Sequence, residues 1–311
     1  MTPPFDAVLL VAFGGPERPE DIRPFLDEVL RGRPVPRERY EEVVHHYERI
    51  GGRSPLNELT FRQARGLADL LAAEGPRLPV YVGMRNWTPW IADTLATMAR
   101  DGVRRAVTLL LAAHRTEASW ERYQAALDGG RKRAGAGAPA LTYAGRWFDH
   151  PDFVAANVAR VREAYATAPA DAALVFTAHS IPRAMAEQSP YVGELETSCR
   201  LVAAALGRPY VLAYQSRSGG PRDPWLEPDV NDCLRELAAR GVRHVVVSPI
   251  GFVCDHVEVL YDLDVEACAT AAALGLGFTR AAAPNDHPAF VRMLAQVVRA
   301  RVASPESPEP P

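Results

Sequence analysis

Short runs of β-branched and other apolar residues alternate along this chain with longer stretches whose apolar positions recur every three or four residues. The runs at 7–13 ("AVLLVAF"), 79–84 ("PVYVGM"), 105–113 ("RAVTLLLAA") and 140–145 ("ALTYAG") predict strands in the first half. Those at 172–180 ("AALVFTAHS"), 209–216 ("PYVLAYQS"), 242–250 ("VRHVVVSPI") and 276–282 ("LGFTRAA") predict a second set. Helical patterns fill the intervals at 59–74, 88–101, 117–128, 151–166, 193–206, 228–240 and 256–273, and a last one covers 287–303. Strands alternating with helices imply an α/β architecture of parallel sheets covered by helices.

Two sets of four strands suggest two similar halves. We expect domains at 1–165 and 166–286, with helix 287–303 able to pack back on the first and a disordered Pro-rich tail at 304–311. Two segments interrupt the alternation. Residues 16–57, including "RGRPVPRERYEEVVHHYERIGGRSPLNEL", are far longer than an ordinary strand-to-helix loop, and such an excursion commonly forms a lid or substrate-binding element. "GGRKRAGAGAP" (129–139) reads as a flexible surface connection, because it does not join a strand to the next helix as a phosphate loop would.

Composition narrows the choice of partners. A net charge of −3 and a pI near 6.3 leave no basic footprint for nucleic acid. No stretch reaches the length of a transmembrane segment, and "MTPPFDAVLLVAFGGP" lacks the charged start of a signal peptide, so a cytoplasmic protein is expected. Cys199, Cys233, Cys254 and Cys268 form no CxxC pair, which points to free buried thiols and away from disulfides, zinc or an iron–sulfur cluster.

In open parallel sheets ligands bind beyond the carboxyl ends of the strands, so polar residues there carry weight. Those ends deliver "GGP", "HRTEAS", "HSIP", "QSRSGG" and "GFVCDHVE". His179 directly ends an apolar run, where an imidazole serves as base, proton shuttle or metal ligand, or else simply caps the loop at Ser180. His114 invites the same reading, or a merely exposed one, and His256 is left open. Glu258, Asp262 and Glu266 are spaced four apart, a repulsive arrangement on one helix face. Asp255 as N-cap with Glu258 three residues on fits a capping box, which accounts for those two acids alone. The row otherwise suits a hydrated divalent cation or the passage of protons or metal, or it is a solvated acidic face. Arg31, Arg33, Arg37 and Arg39 in the long excursion, with Ser54 and Tyr123, would suit an anionic substrate edge, or else are ordinary solubilising groups.

The ordered landmarks "AFGGPERPEDI", "YERIGGRSPL", "TAHSIP", "DPWLEPDV" and "PIGFVCDHVEVLYDLD" resemble the ferrochelatase family from about residue 6 to 302. That resemblance implies two Rossmann-like domains of the type II chelatase kind, with a cleft between them. It also implies insertion of Fe(2+), a substrate, into a porphyrin in haem synthesis. By matching position, His179 and Glu258 correspond to the pair facing the porphyrin centre, and Asp262 and Glu266 to an acidic track for metal leading outward. "RGRPVPRERYEEVVHHYERIGGRSPL" and "LAAHRTEASWERY" resemble the coproporphyrin III branch, in which Arg31, Ser54 and Tyr123 match propionate contacts and His114 a loop histidine near the cleft. Phe13 stands where some members carry a tyrosine able to approach the metal, leaving only an apolar contact with the macrocycle. The family's iron–sulfur members have clustered C-terminal cysteines that are lacking here, so no cluster is expected. Transient contacts with neighbouring haem-pathway enzymes also follow from the resemblance. Rival readings are a protoporphyrin IX ferrochelatase, a cobalt or nickel chelatase of another tetrapyrrole, and a non-catalytic porphyrin or haem carrier.

Overall fold

The computed structural model describes residues 4–32, 35–218 and 223–305. Arg33 and most of the expected disordered tail, from residue 306, lie outside them. The chain forms two compact units, one built from residues up to Ala112, Ala118–Trp147 and the C-terminal segment from Asp286, the other from Ala113–Glu117 and Phe148–Asn285.

The first unit contains β1 (Ala7–Ala12), α1 (Ile22–Val29), α2 (Arg37–Arg49), α3 (Leu56–Glu74), β2 (Val80–Met84), α4 (Ile91–Arg100), β3 (Arg105–Leu110), α5 (Arg122–Ala134) and β4 (Ala140–Tyr143). Its sheet is wholly parallel in the order β2-β1-β3-β4, with Leu9 paired to both Tyr81 and Thr108. β1 is buried along its whole length, as an inner parallel strand covered on both faces must be. The long excursion after β1 is helical, carrying α1 and α2.

The second unit contains α6 (Pro151–Tyr165), β5 (Ala173–His179), α7 (Arg183–Glu187), α8 (Tyr191–Leu206), β6 (Tyr210–Gln215), α9 (Val230–Ala239), β7 (His244–Ser248), α10 (Val257–Leu260), α11 (Cys268–Ala273) and β8 (Gly277–Arg280). Its sheet repeats the first in order, β6-β5-β7-β8, again all parallel. The period-two pattern of β5 divides its side chains between two cores. Leu174, Phe176 and Ala178 join the cluster under α6 and α8, whereas Val175 joins the one under α9 and α11. The chain then returns to the first unit, where α12 (Pro288–Ala303) packs on α3.

Two expectations need correction. The boundary placed at 165/166 falls at the end of α6, but that helix packs on α8 and β7, so the chain passes between units at Trp147–Phe148. Residues 166–172, at the expected boundary, are an ordinary helix-to-strand connection between α6 and β5. The "GGRKRA" segment is also not a loop, because α5 continues through it to Ala134. Gly130 is buried there against α4, and a Cβ on it would lie 2.8 Å from Ile91 Cγ2, so close helix packing selects the glycine. Among the described residues, no helix is long and apolar enough to cross a membrane.

Candidate active site

β5 carries His179 as its last residue, paired in register with Gln215 of β6. Its Nδ1 donates to the Ser180 carbonyl, and its own carbonyl accepts the buried Tyr191 hydroxyl at 2.9 Å. The ring therefore has a fixed orientation and offers only Nε2 outward, 3.6 Å from Glu258 Oε1. Glu258 sits in the first turn of α10, and its other oxygen lies 3.3 Å from His256 Nε2. His256, whose role the sequence left open, turns its Nδ1 to the Cys254 carbonyl at 3.0 Å and packs its ring, tilted by 55°, against Phe252.

Burial works against a charged ring at His179, but the Glu258 carboxylate outweighs it and raises the imidazole from its ordinary 6.5 to about 9. Burial likewise works against the Glu258 anion, and His179 with His256 nevertheless holds it well below the usual carboxylate range. At neutral pH the pair is thus an imidazolium facing a carboxylate.

The predicted capping box does not form. His256 takes the N-cap position with no side-chain cap, while Asp255 binds Arg280 Nη1 at 2.9 Å and Asn285 Nδ2 at 2.8 Å and accepts the Ala283 N–H. Nor does the expected helix 256–273 run unbroken. Between α10 and α11, residues Asp262–Ala267 form a π-helix, in which the Glu266 N–H bonds to the Tyr261 carbonyl five residues back. Such wide turns recur at functional sites. Asp262 opens this turn, half-buried and accepting the Ser216 hydroxyl, and Glu266 near its end is exposed. Burial raises Asp262 to about 7; the Ser216 hydroxyl opposes this, and the neighbouring carboxylates Glu258 and Glu266 reinforce it. The acids form a row from the His179 pair to exposed surface; among the described residues, no three His, Cys, Asp or Glu side chains enclose a single metal position.

In the first unit, Phe13 follows β1 and meets Phe25 edge-on at 6.3 Å. Arg85, directly after β2, lies over the rings of Phe13 and Tyr123, 5.2 Å from each. Tyr123 is 5% exposed, and burial pushes its hydroxyl up to about 12. Ser54 is equally buried; its N–H bonds to the Pro16 carbonyl at 2.8 Å, which seats it on the turn after β1. Arg31 lies just beyond α1, exposed and paired with Glu28.

His114 is a buried residue and not an exposed loop group. At 3% exposure it packs in the second unit between the rings of Phe153 and Tyr191, with Nε2 3.0 Å from Ser198 Oγ. Burial lowers it to about 3, so the ring is a neutral core group.

A family model described as Ferrochelatase matches residues 5–302. The chain belongs to the ferrochelatase family. A "Ferrochelatase" from Rhodopirellula baltica is 44% identical, over 96% of this chain and 87% of the relative. "Coproporphyrin III ferrochelatase" from Mycolicibacterium smegmatis is 45% identical, over 94% of this chain and 89% of its own, and the protein of that name from Nocardia farcinica is 46% identical, over 94% and 87%. Among solved structures, the sirohydrochlorin chelatase of Bacillus subtilis subspecies spizizenii superposes with a TM-score of 0.60 at 12% identity, over 96% of each chain. At that identity the likeness speaks for the chelatase fold alone.

Arg85 and Ser216 were missed as site residues by the sequence reading. Both stand at carboxyl ends of strands: Ser216 lies in the "QSRSGG" that ends β6, where its residue type alone does not mark it, and Arg85 follows β2, whose end was not among those considered.

Proposed function

We propose that the protein inserts ferrous iron into coproporphyrin III to give coprohaem. The observation that carries this reading is the His179–Glu258 pair with the row of Asp262 and Glu266 leading from it to exposed surface. Insertion replaces two pyrrole N–H protons with one Fe(2+), so the site must accept protons and supply a dehydrated cation.

Because His179 is already protonated and Glu258 ionised at neutral pH, Glu258 is the proton acceptor of the pair. An approaching cation meets the oxygens of Glu266 and Asp262 first and then takes the Nε2 position of His179 as that proton passes to Glu258. Glu258 hands this proton and the two pyrrole protons on, one at a time, along Asp262 and Glu266 to solvent, so each charge that enters is matched by protons that leave. Divalent iron accepts such a mixed set. In the first unit Phe13 supplies an apolar face for the macrocycle and Arg31 a partner for a substrate carboxylate. Ser54 and Tyr123, being buried, act through the backbone and rings they hold in place. Binding energy from the carboxylates is then available to bend the ring and expose its nitrogen lone pairs.

The preference for coproporphyrin III is supported by the relatives of that name and by the Arg31 region. Cytoplasmic residence, transient contacts with neighbouring haem-pathway enzymes and the lack of a resident iron–sulfur cluster belong to the same proposal. Anaerobic iron insertion followed by absorbance, with coproporphyrin III and protoporphyrin IX side by side, tests it. Turnover of coproporphyrin III alone is expected; preference for protoporphyrin IX would overturn the substrate assignment, and tight binding of both without metallation would replace the enzyme with a carrier.

A further inference from the structure

The dipeptide Gln215–Ser216 at the carboxyl end of β6 contacts the strand end at His179 and two members of the row, Glu258 and Asp262. Gln215 is buried, its carbonyl accepts the Ser180 N–H at 2.7 Å, and it pairs in register with His179. Its carboxamide nitrogen donates to the backbone carbonyl of Glu258. Ser216 then donates its hydroxyl to Asp262 Oδ2. Two consecutive residues thus tie the strand of His179 to the backbone of Glu258 and the side chain of Asp262.

Ser216 does this from an unfavourable conformation. Its φ is +62°, and the other non-glycine described in the left-handed region is Asn285 at +51°, a residue type that tolerates it. Serine has no such tolerance, so a local steric cost is retained at the point where the hydroxyl reaches Asp262. A glycine there would relieve the backbone and lose the hydrogen bond.

We infer that Ser216 is a positioning residue for iron delivery: its hydroxyl engages one oxygen of Asp262 and fixes the rotation of that carboxyl for the incoming cation. The inference rests on the reading of Asp262 as part of an iron path. It acts on the metal and not on the porphyrin, so its effect is specific to one substrate.

The test compares full-length wild type, Ser216→Gly, Asp262→Asn and the double variant in anaerobic insertion, varying Fe(2+) and porphyrin separately. Ser216→Gly is expected to raise the KM for Fe(2+) by about tenfold, with the KM for porphyrin unchanged. The double variant should be no worse than Asp262→Asn, because the serine acts through that carboxylate. The urea midpoint of Ser216→Gly should equal or exceed wild type, which separates the effect from misfolding. If Asp262→Asn impairs iron use and Ser216→Gly does not, the inference is overturned and the iron path stands. If Asp262→Asn itself leaves iron dependence unchanged, the path fails and the inference with it. A rise in porphyrin KM in Ser216→Gly would also overturn it.

Discussion

Gly251→Ala subjects the geometry of the site to a direct test. Gly251 follows β7, and its N–H bonds to the Thr177 carbonyl at 3.0 Å, laying the chain that leads to Glu258 against the strand that ends in His179. A Cβ at this position would lie 2.5 Å from Ala178 Cβ, 2.7 Å from Ala178 Cα and 3.4 Å from the Thr177 carbonyl oxygen. Carbon atoms in ordinary contact stand about 3.5–4.0 Å apart, so the alanine demands a displacement of roughly 1 Å. No rotamer relieves it, since the obstruction is a buried strand and a methyl group fixed to it. We expect a loss of about 1–3 kcal/mol in stability, the usual range for overpacking. Because Ala178 adjoins His179, the same displacement widens the His179–Glu258 separation beyond its present 3.6 Å. A misplacement of about 1 Å costs on the order of a hundredfold in rate. Guanidinium melts give the first quantity and anaerobic iron insertion under saturating substrates the second. Gly193→Ala is the control: in α8, with nothing within 4 Å of its Cβ, it should keep full activity and gain about 0.4–1 kcal/mol. Wild-type stability and kcat in Gly251→Ala would refute the argument that this contact sets the site.

Further expectations concern charge. His114, lowered from an ordinary 6.5 to about 3, stays neutral in the folded protein while the unfolded chain takes up a proton below 6.5. Its contribution is therefore intact above that pH and lost as the pH falls, by about 2 kcal/mol at pH 5; urea midpoints of wild type and His114→Gln at pH 8 and pH 5 should diverge accordingly, and parallel shifts would remove His114 from the acid response. Glu258→Gln should lower kcat by about 10²–10⁴-fold, the usual worth of a general base, while porphyrin affinity read by fluorescence quenching is kept; lost affinity would mean a structural role. Arg31→Ala should raise the KM for coproporphyrin III only about two- to fivefold, since an exposed ion pair is weak, and an unchanged KM would withdraw Arg31 from the carboxylate contact.

Local chemistry determined much of this protein without help from the fold. The apolar runs are legible as strands because inner parallel strands are covered on both faces and tolerate little else. The position of His179 follows from the end of one such run, and the spacing of Glu258, Asp262 and Glu266 marks them as an arrangement that local repulsion does not favour. Tertiary structure decided the rest, because each remaining feature depends on groups distant in sequence. Asp255 is drawn away from capping α10 by Arg280 and Asn285. His114 lies next to a strand end, as an exposed ligand would, yet Ser198, Phe153 and Tyr191 enclose it. Gly130 reads as a loop glycine until α4 is seen to pack against it. The π-turn at Asp262 and the left-handed Ser216 leave no periodic trace in the sequence, since a single residue's conformation changes no hydropathy pattern. Periodicity reports which face of an element is buried; what that face meets is set only when the chain has closed on itself.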